Sequence, residues 1–225
     1  MSIFLDTSDI KDIKKYNSMG VIRGVTTNPS IILKNGIGEF NSLKEWGVYV
    51  ADLIKPFPLS IEVTTNDMQK ILAQADEYSS WADNINVKVT IHDEDGKENL
   101  SIIKILETVK NIRVNVTAMM SAQQCFLASL AGASYVSLFG GRVNNMGYNV
   151  NDEIVKLRSL INAAGTESKI IIGSVRESIN ITEWIESGAD IVTVPPSFID
   201  SMLVHPYSKE TVKQFMDDSR RNSVI

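Results

Sequence analysis

Ile85-Asn86-Val87-Lys88-Val89-Thr90 alternates apolar and polar side chains without a break. Successive side chains of a strand point to opposite faces. Ile85, Val87 and Val89 therefore share one face, and Asn86, Lys88 and Thr90 share the other. Short β-rich runs of the same kind stand on both sides of it. Ile3–Asp6, Gly24–Asn28 and Leu59–Val63 precede it; Arg113–Thr117, Tyr135–Phe139, Lys169–Ser174 and Ile191–Val194 follow. Between the runs the apolar spacing turns helical. Asp9–Met19 opens behind Ser8, a candidate cap, and Asn66–Trp81 follows a Thr-Thr-Asn start. Glu94–Lys110 carries Leu100, Ile103 and Leu106. Ser121–Ala131, Asp152–Ala164 and Ser178–Ser187 each stop at a glycine, a common helix terminator. The long connection after the second run has room for a short helix and for a longer one near 38–54.

Eight strands alternating with helices predict an α/β fold with a parallel sheet and right-handed crossovers. At 225 residues the natural closed form is a single (β/α)8 TIM barrel spanning 1–225, with a helical tail over about 206–225. An open doubly wound sheet is the alternative. It would carry a glycine-rich nucleotide turn after the first strand, but the chain has Leu5-Asp6-Thr7-Ser8 there and no G-x-G-x-x-G or G-x-x-x-x-G-K.

Composition narrows the function. The net charge is −5, which argues against a nucleic-acid or anionic-membrane surface. No apolar run approaches the ~18 residues of a membrane span. The opening Met1-Ser2-Ile3-Phe4-Leu5-Asp6 has no basic-then-apolar leader, and the lone Cys125 fits a reducing compartment, so a cytoplasmic location is expected. The two histidines, His92 and His205, are too far apart in sequence for a histidine-built metal site, and none is expected.

A barrel's outer strand face packs under apolar helices, so the polar set must point inward, near the strand C-termini where barrel sites sit. That set is Asp6, Thr26, Asn28, Glu62, Lys88, Asn115, Thr117, Ser137 and Ser174. Taken singly, each has a structural explanation. An inward Asn or Thr can simply be hydrogen-bonded, Asp6 can cap a helix, and Glu62 with Lys88 can be an inert ion pair. Together they are more polarity than a packed interior tolerates without a purpose. A central lysine in desolvated surroundings with cations nearby is expected to present a free amine, the form that attacks carbonyls. Asp6 and Glu62 are suited to proton transfer. Arg142, after Phe139-Gly140-Gly141, and Arg176, after Gly173-Ser174-Val175, stand beyond late strands where barrels often bind phosphate. Two surface salt bridges are the alternative for these arginines. Trp46, Trp81 and Trp184 are expected to pack, Cys125 to be inert and His92 to lie outside the chemistry.

Gly24-Val25-Thr26-Thr27-Asn28-Pro29-Ser30 resembles the strand-two signature of the transaldolase family, and Asn86-Val87-Lys88-Val89 resembles its Schiff-base lysine segment. Asn115-Val116-Thr117, Ser137-Leu138-Phe139-Gly140-Gly141-Arg142 and Gly173-Ser174-Val175-Arg176 resemble its later motifs. The resemblance spans essentially the whole chain, at the length of the small-subunit, fructose-6-phosphate aldolase-like branch. It implies a cofactor-free enzyme in which Lys88 attacks the C2 carbonyl of fructose 6-phosphate or sedoheptulose 7-phosphate. Glu62 and Thr117 would handle protons through a water, and Asp6 would deprotonate the C4 hydroxyl. Thr26, Asn28, Asn115 and Ser137 would hold the dihydroxyacetone unit, and Arg142, Ser174 and Arg176 the phosphate. The bound three-carbon unit would pass to an aldose phosphate, in the pentose phosphate pathway. The resemblance also implies a homo-oligomer, a pentamer or decamer joined through the C-terminal helix.

Three departures bear on the activity. Thr90 stands where relatives often carry proline, and Val143-Asn144-Asn145-Met146 is a divergent loop. Phe139 replaces the tyrosine of the fructose-6-phosphate aldolases, whose hydroxyl can help water release the three-carbon unit, so transfer is expected over release. Arg142 is present where relatives acting on sulfonated fructose tend to lose it. An aldolase releasing free dihydroxyacetone, and a non-catalytic sugar-phosphate-binding protein, are the competing expectations.

Overall fold

The structure is a computed structural model and describes residues 1–221. In chain order it runs β1 (Ser2–Asp6), α1 (Ile10–Ser18), β2 (Val25–Thr26), α2 (Pro29–Asn35), α3 (Leu43–Leu53), β3 (Leu59–Glu62) and α4 (Met68–Ser79). There follow β4 (Ile85–Thr90), α5 (Leu100–Thr108), β5 (Val114–Met119), α6 (Ala122–Leu130), β6 (Tyr135–Phe139), α7 (Gly140–Asn145) and α8 (Val150–Ala164). The chain ends with β7 (Lys169–Gly173), α9 (Ile179–Glu186), β8 (Ile191–Val194), α10 (Pro196–Leu203) and α11 (Pro206–Arg221). Each strand pairs in parallel with its sequence neighbours, and β1 also pairs with β8, so the sheet closes into the expected (β/α)8 barrel.

The alternation in the strands decides what goes where. Val87, Val89, Val114, Val116, Val136 and Leu138 are wholly buried in the main core, between the strands and the helices. A separate, smaller apolar cluster of Phe4, Ile171 and Ile191, with Tyr135 against it, fills part of the barrel interior. A Cβ on Gly24 would stand 2.7 Å from the Phe4 ring, so the residue just before β2 must offer a bare backbone. Trp46 and Trp184 are fully buried, and the Trp46 indole donates to the Ser8 carbonyl at 3.0 Å.

The boundaries differ from the sequence expectation in physically informative places. β2 ends at Thr26 because Asn28 is the N-cap of α2, its side chain accepting from the Ile31 N–H, with Pro29 in the first turn. Asp9, not Ser8, caps α1, accepting from Lys11 N at 2.7 Å; the Ser8 hydroxyl donates to the Gly36 carbonyl instead. α5 starts late, since the segment before it turns back in an isolated antiparallel bridge between His92 and Glu98. β5 runs two residues past Thr117, through a register shift against β6 between Val116 and Met119, and Ala118 there has a φ of 62°. The expected tail is helical as α11, and none of its residues is buried within the chain. The tail's last residues, 222–225, lie outside the described residues. Among the described residues no helix is long and apolar enough to cross a membrane.

Candidate active site

A cavity of about 260 Å³ opens at the C-terminal ends of the strands. Asp6, Thr26 and Phe139 close their strands there, and Lys88, Asn115 and Ser137 reach it from inside the barrel. Register explains the neighbours. Glu62 on β3 sits opposite Lys88 on β4, and Lys88 opposite Asn115 on β5, so three inward side chains stand abreast.

Lys88 is 5% exposed. Its Nζ donates to the Thr27 carbonyl at 2.7 Å and lies 3.1 Å from Glu62 Oε2. The cations expected around this amine are not its contacts, which are a carboxylate and a carbonyl. That correction follows from the register, because the residue facing Lys88 on β3 is an acid. In the free protein these contacts hold the nitrogen in place, with a carboxylate beside it ready to take or return a proton.

Asp6 is set by register too, opposite Thr26. The Thr26 hydroxyl donates to Asp6 Oδ1 at 2.6 Å, and the Thr193 hydroxyl lies 2.5 Å from Thr26 Oγ1. Since Thr26 has one proton to give, Thr193 is the donor to it, and the three form a chain ending on the carboxylate. Asp6 therefore does not cap a helix. Burial pushes its carboxyl above the ordinary 3.8; the Thr26 hydrogen bond and the Lys88 charge pull it down, and Glu62 pushes it up. A raised carboxyl is a stronger base than a surface aspartate.

Polar groups on the wall are held in one orientation. Ser137 donates to Asn115 Oδ1 at 2.6 Å, and Asn115 Nδ2 donates to Ser60 Oγ at 3.2 Å. Asn28 uses its oxygen as a cap, which leaves its amide hydrogens for a ligand. Thr117 is 1% exposed, and its hydroxyl is buried with no hydrogen-bond partner among the described residues. A buried hydroxyl without a partner is costly, and a water is the usual remedy.

The far side of the cavity is basic. Arg142 stacks over the Phe139 ring, 5.1 Å from its centre, so the aromatic side chain positions the guanidinium. Ser174 holds a φ of 63°, a strained value for a residue with a side chain. Asn180 fastens the following turn by accepting from Glu177 N at 3.0 Å and Arg176 N at 3.4 Å. Gly141 is what lets the two late loops meet. A Cβ there would fall 1.8 Å from the Ser174 carbonyl oxygen and 2.8 Å from Arg176 Cγ. Gly141→Ala should therefore displace both Ser174 and Arg176. The expected result is a loss of roughly 1–3 kcal/mol in thermal or denaturant unfolding, together with weaker binding of inorganic phosphate by calorimetry. Wild-type phosphate affinity in that variant would contradict this packing.

Ten of the twelve candidate residues line the cavity: Asp6, Thr26, Asn28, Lys88, Asn115, Ser137, Phe139, Arg142, Ser174 and Arg176. Glu62 joins through its contact with Lys88. Thr117 is buried in the wall two residues beyond Asn115 and is not part of the lining. Thr193, Ser30, Ile31 and Lys34 line the cavity without having been foreseen. Thr193 had a signal, being the lone polar residue in the apolar eighth run, Ile191-Val192-Thr193-Val194. The three on α2 had none, because their placement depends on how that helix lies across the mouth. Asn86 is wholly buried, and both its amide atoms lack a partner among the described residues. His92 bonds the neighbouring Asp93 carbonyl and stays outside the cavity. Met119 is wholly buried core, and the Cys125 thiol is pushed far up by burial, which keeps it unreactive. No cluster of three or more His, Cys, Asp or Glu placed to hold a metal occurs among the described residues.

The barrel class is shared with distant solved structures. Thiamine phosphate pyrophosphorylase from Pyrococcus furiosus superposes with a TM-score of 0.58 at 11% identity, covering 86% of this chain and 85% of that one. A mandelate oxidase variant gives 0.57 at 10% identity, over 88% of this chain and 64% of the other. At such identities only the fold is shared. The family is decided by sequence: the chain belongs to the transaldolase/fructose-6-phosphate aldolase family, whose model matches residues 3–224. A probable transaldolase of Carboxydothermus hydrogenoformans is 38% identical over 97% of both chains. Probable transaldolases of Methanococcus maripaludis strain C7 and Bacillus cereus are 36% and 35% identical over the same shares.

Proposed function

We propose that the protein is a transaldolase of the Schiff-base type, moving a dihydroxyacetone unit from a ketose phosphate to an aldose phosphate. The observation that carries this is the buried Lys88 amine, 3.1 Å from Glu62, facing the same cavity as Asp6 and the two arginines. Fructose 6-phosphate or sedoheptulose 7-phosphate enters with its phosphate toward Arg142, Ser174 and Arg176, whose guanidiniums match a phosphate's geometry. The Lys88 amine adds to the C2 carbonyl. Glu62, with a water held by Thr117, protonates the departing hydroxyl, and loss of water gives the iminium. Asp6 takes the C4 hydroxyl proton, the C3–C4 bond breaks, and its electron pair flows into the iminium to give an enamine. The aldose phosphate leaves and another takes its place; the enamine attacks its carbonyl, and water then releases the new ketose. Thr26 holds Asp6, while Asn28, Asn115 and Ser137 grip the three-carbon hydroxyls. The proposal extends the family resemblance to a role in sugar-phosphate exchange of the pentose phosphate pathway, in the cytoplasm, without a cofactor and as a homo-oligomer of five or ten subunits.

Release of free dihydroxyacetone is the second reading, and Phe139 speaks against it: a phenyl ring offers no hydroxyl to deliver water to the enamine. Incubating fructose 6-phosphate with and without erythrose 4-phosphate tests the choice. Rapid glyceraldehyde 3-phosphate release only with the acceptor is expected; equal release without it would make the protein an aldolase. Phe139→Tyr should raise the acceptor-free rate about tenfold, an amount one well-placed proton donor readily supplies. An unchanged rate would remove the ring's hydroxyl as the deciding feature.

A further inference from the structure

Lys34 lines the same cavity as Arg142 and Arg176, on the last turn of α2. It comes from the opposite side. In the closed ring, β2 and β6 stand four places apart, so α2, which directly follows β2, faces the segment after β6 across the mouth. Lys34 forms no ion pair or hydrogen bond among the described residues, and neither do Arg142 and Arg176 form ion pairs there. The lysine of the chemistry is already paired with Glu62. Three unpaired cations therefore border one opening that also contains the carboxylate of Asp6.

A phosphate monoester carries close to two negative charges at neutral pH, which the two arginines already match. Their positions are fixed by the contact of Gly141 with Ser174 and Arg176, and by the Phe139 ring under Arg142. Lys34 differs in kind. It is exposed, it lies in the last turn of a helix of seven residues, and its ammonium is a point charge on a flexible stem. It can follow an anion over a range of positions, where the arginine pair cannot.

We propose that Lys34 is a specificity-determining residue that selects phosphorylated aldose acceptors by closing on their phosphate from the side opposite Arg142 and Arg176. The proposal rests on the transaldolase reading and deepens it. With fructose 6-phosphate saturating, kcat/KM for the acceptor reports the second half of the exchange alone. It should be measured with erythrose 4-phosphate and with erythrose, which share a carbon chain, for the wild type and for Lys34→Ala, Lys34→Arg and Lys34→Glu. Lys34→Ala should lower the preference for the phosphorylated acceptor roughly fivefold, the scale of one solvent-accessible charge contact. Lys34→Arg should restore most of it, and Lys34→Glu should lower it further. The salt dependence of the phosphorylated reaction should flatten in Lys34→Ala. A merely structural lysine would move both acceptors alike, and an unchanged preference ratio in Lys34→Ala overturns the proposal. Failure of the underlying reading looks different, with no transfer to either acceptor by the wild type, and both then fall.

Discussion

Replacing Lys88 with alanine should lower turnover roughly 10⁴-fold or more, the scale of losing a group on which every later step depends. The cavity's other amine, Lys34, is exposed at the mouth on α2, away from the buried Glu62. In the proposed mechanism Asp6 and Glu62 move protons and the asparagines and serines hold hydroxyls, while the Lys88 amine forms the bond through which the electrons of the broken C3–C4 bond are accommodated. The barrel should survive, since neither Lys88 nor Glu62 belongs to the main apolar core. The truncation does leave Glu62 without its cation, which costs roughly 3–5 kcal/mol for a fully buried pair and less for Glu62, whose side chain is partly exposed. A double variant, Lys88→Met with Glu62→Gln, keeps the volume and removes both charges; it should fold at wild-type stability or better and be equally inactive. Circular dichroism melts read the first property and the coupled transfer assay the second. Appreciable transfer by either protein would remove Lys88 from the chemistry.

Asp6→Asn separates carbon–carbon cleavage from binding. Asparagine keeps an oxygen for the Thr26 hydroxyl but accepts no proton from substrate. Turnover should fall by about 10²–10⁴-fold, the usual contribution of a general base, while the covalent adduct with the ketose still forms. The proposed mechanism requires ionised Asp6 in the wild type, so activity should fall as the pH drops through a carboxyl held above 3.8 by burial. The same shift has an opposite consequence for stability. Below 3.8 the carboxyl is protonated whether the chain is folded or not, and it contributes nothing. As the pH rises toward the folded value, the unfolded chain ionises first and stability is lost; above that value the penalty is complete. Asp6→Asn should therefore melt higher than the wild type at neutral pH, with the gain disappearing in acid. A variant that melts lower at pH 7 would show that the carboxylate is not held against its solvation.

Much of this was legible in the sequence because strand alternation is a local property. Ile85–Thr90 declares its two faces whatever surrounds it, and with eight such runs the polar faces must meet in one interior. The same logic put Lys88, Asn115 and Ser137 on one wall. The register between strands, which sets Glu62 against Lys88 and Asp6 against Thr26, follows from closure of the sheet and is not written in any single run. Helix caps escaped where two candidates stood side by side: Ser8 and Asp9 are both good caps, and the choice turned on Ser8 being drawn to the Gly36 carbonyl. Asn28 was placed on the correct side but in the wrong element, because a cap and a strand end look alike before a proline. Lys34 was illegible: where a short helix aims its last turn depends on packing across the mouth and not on its own composition.

Reductive trapping is the most direct test of the central claim. The protein is incubated with fructose 6-phosphate, reduced with borohydride, digested, and the modified peptide located by mass spectrometry. The reduced sugar should sit on Lys88, and adduct should be missing from Lys88→Ala. Sugar fixed to another lysine, or no adduct in a preparation that turns over substrate, would contradict the account.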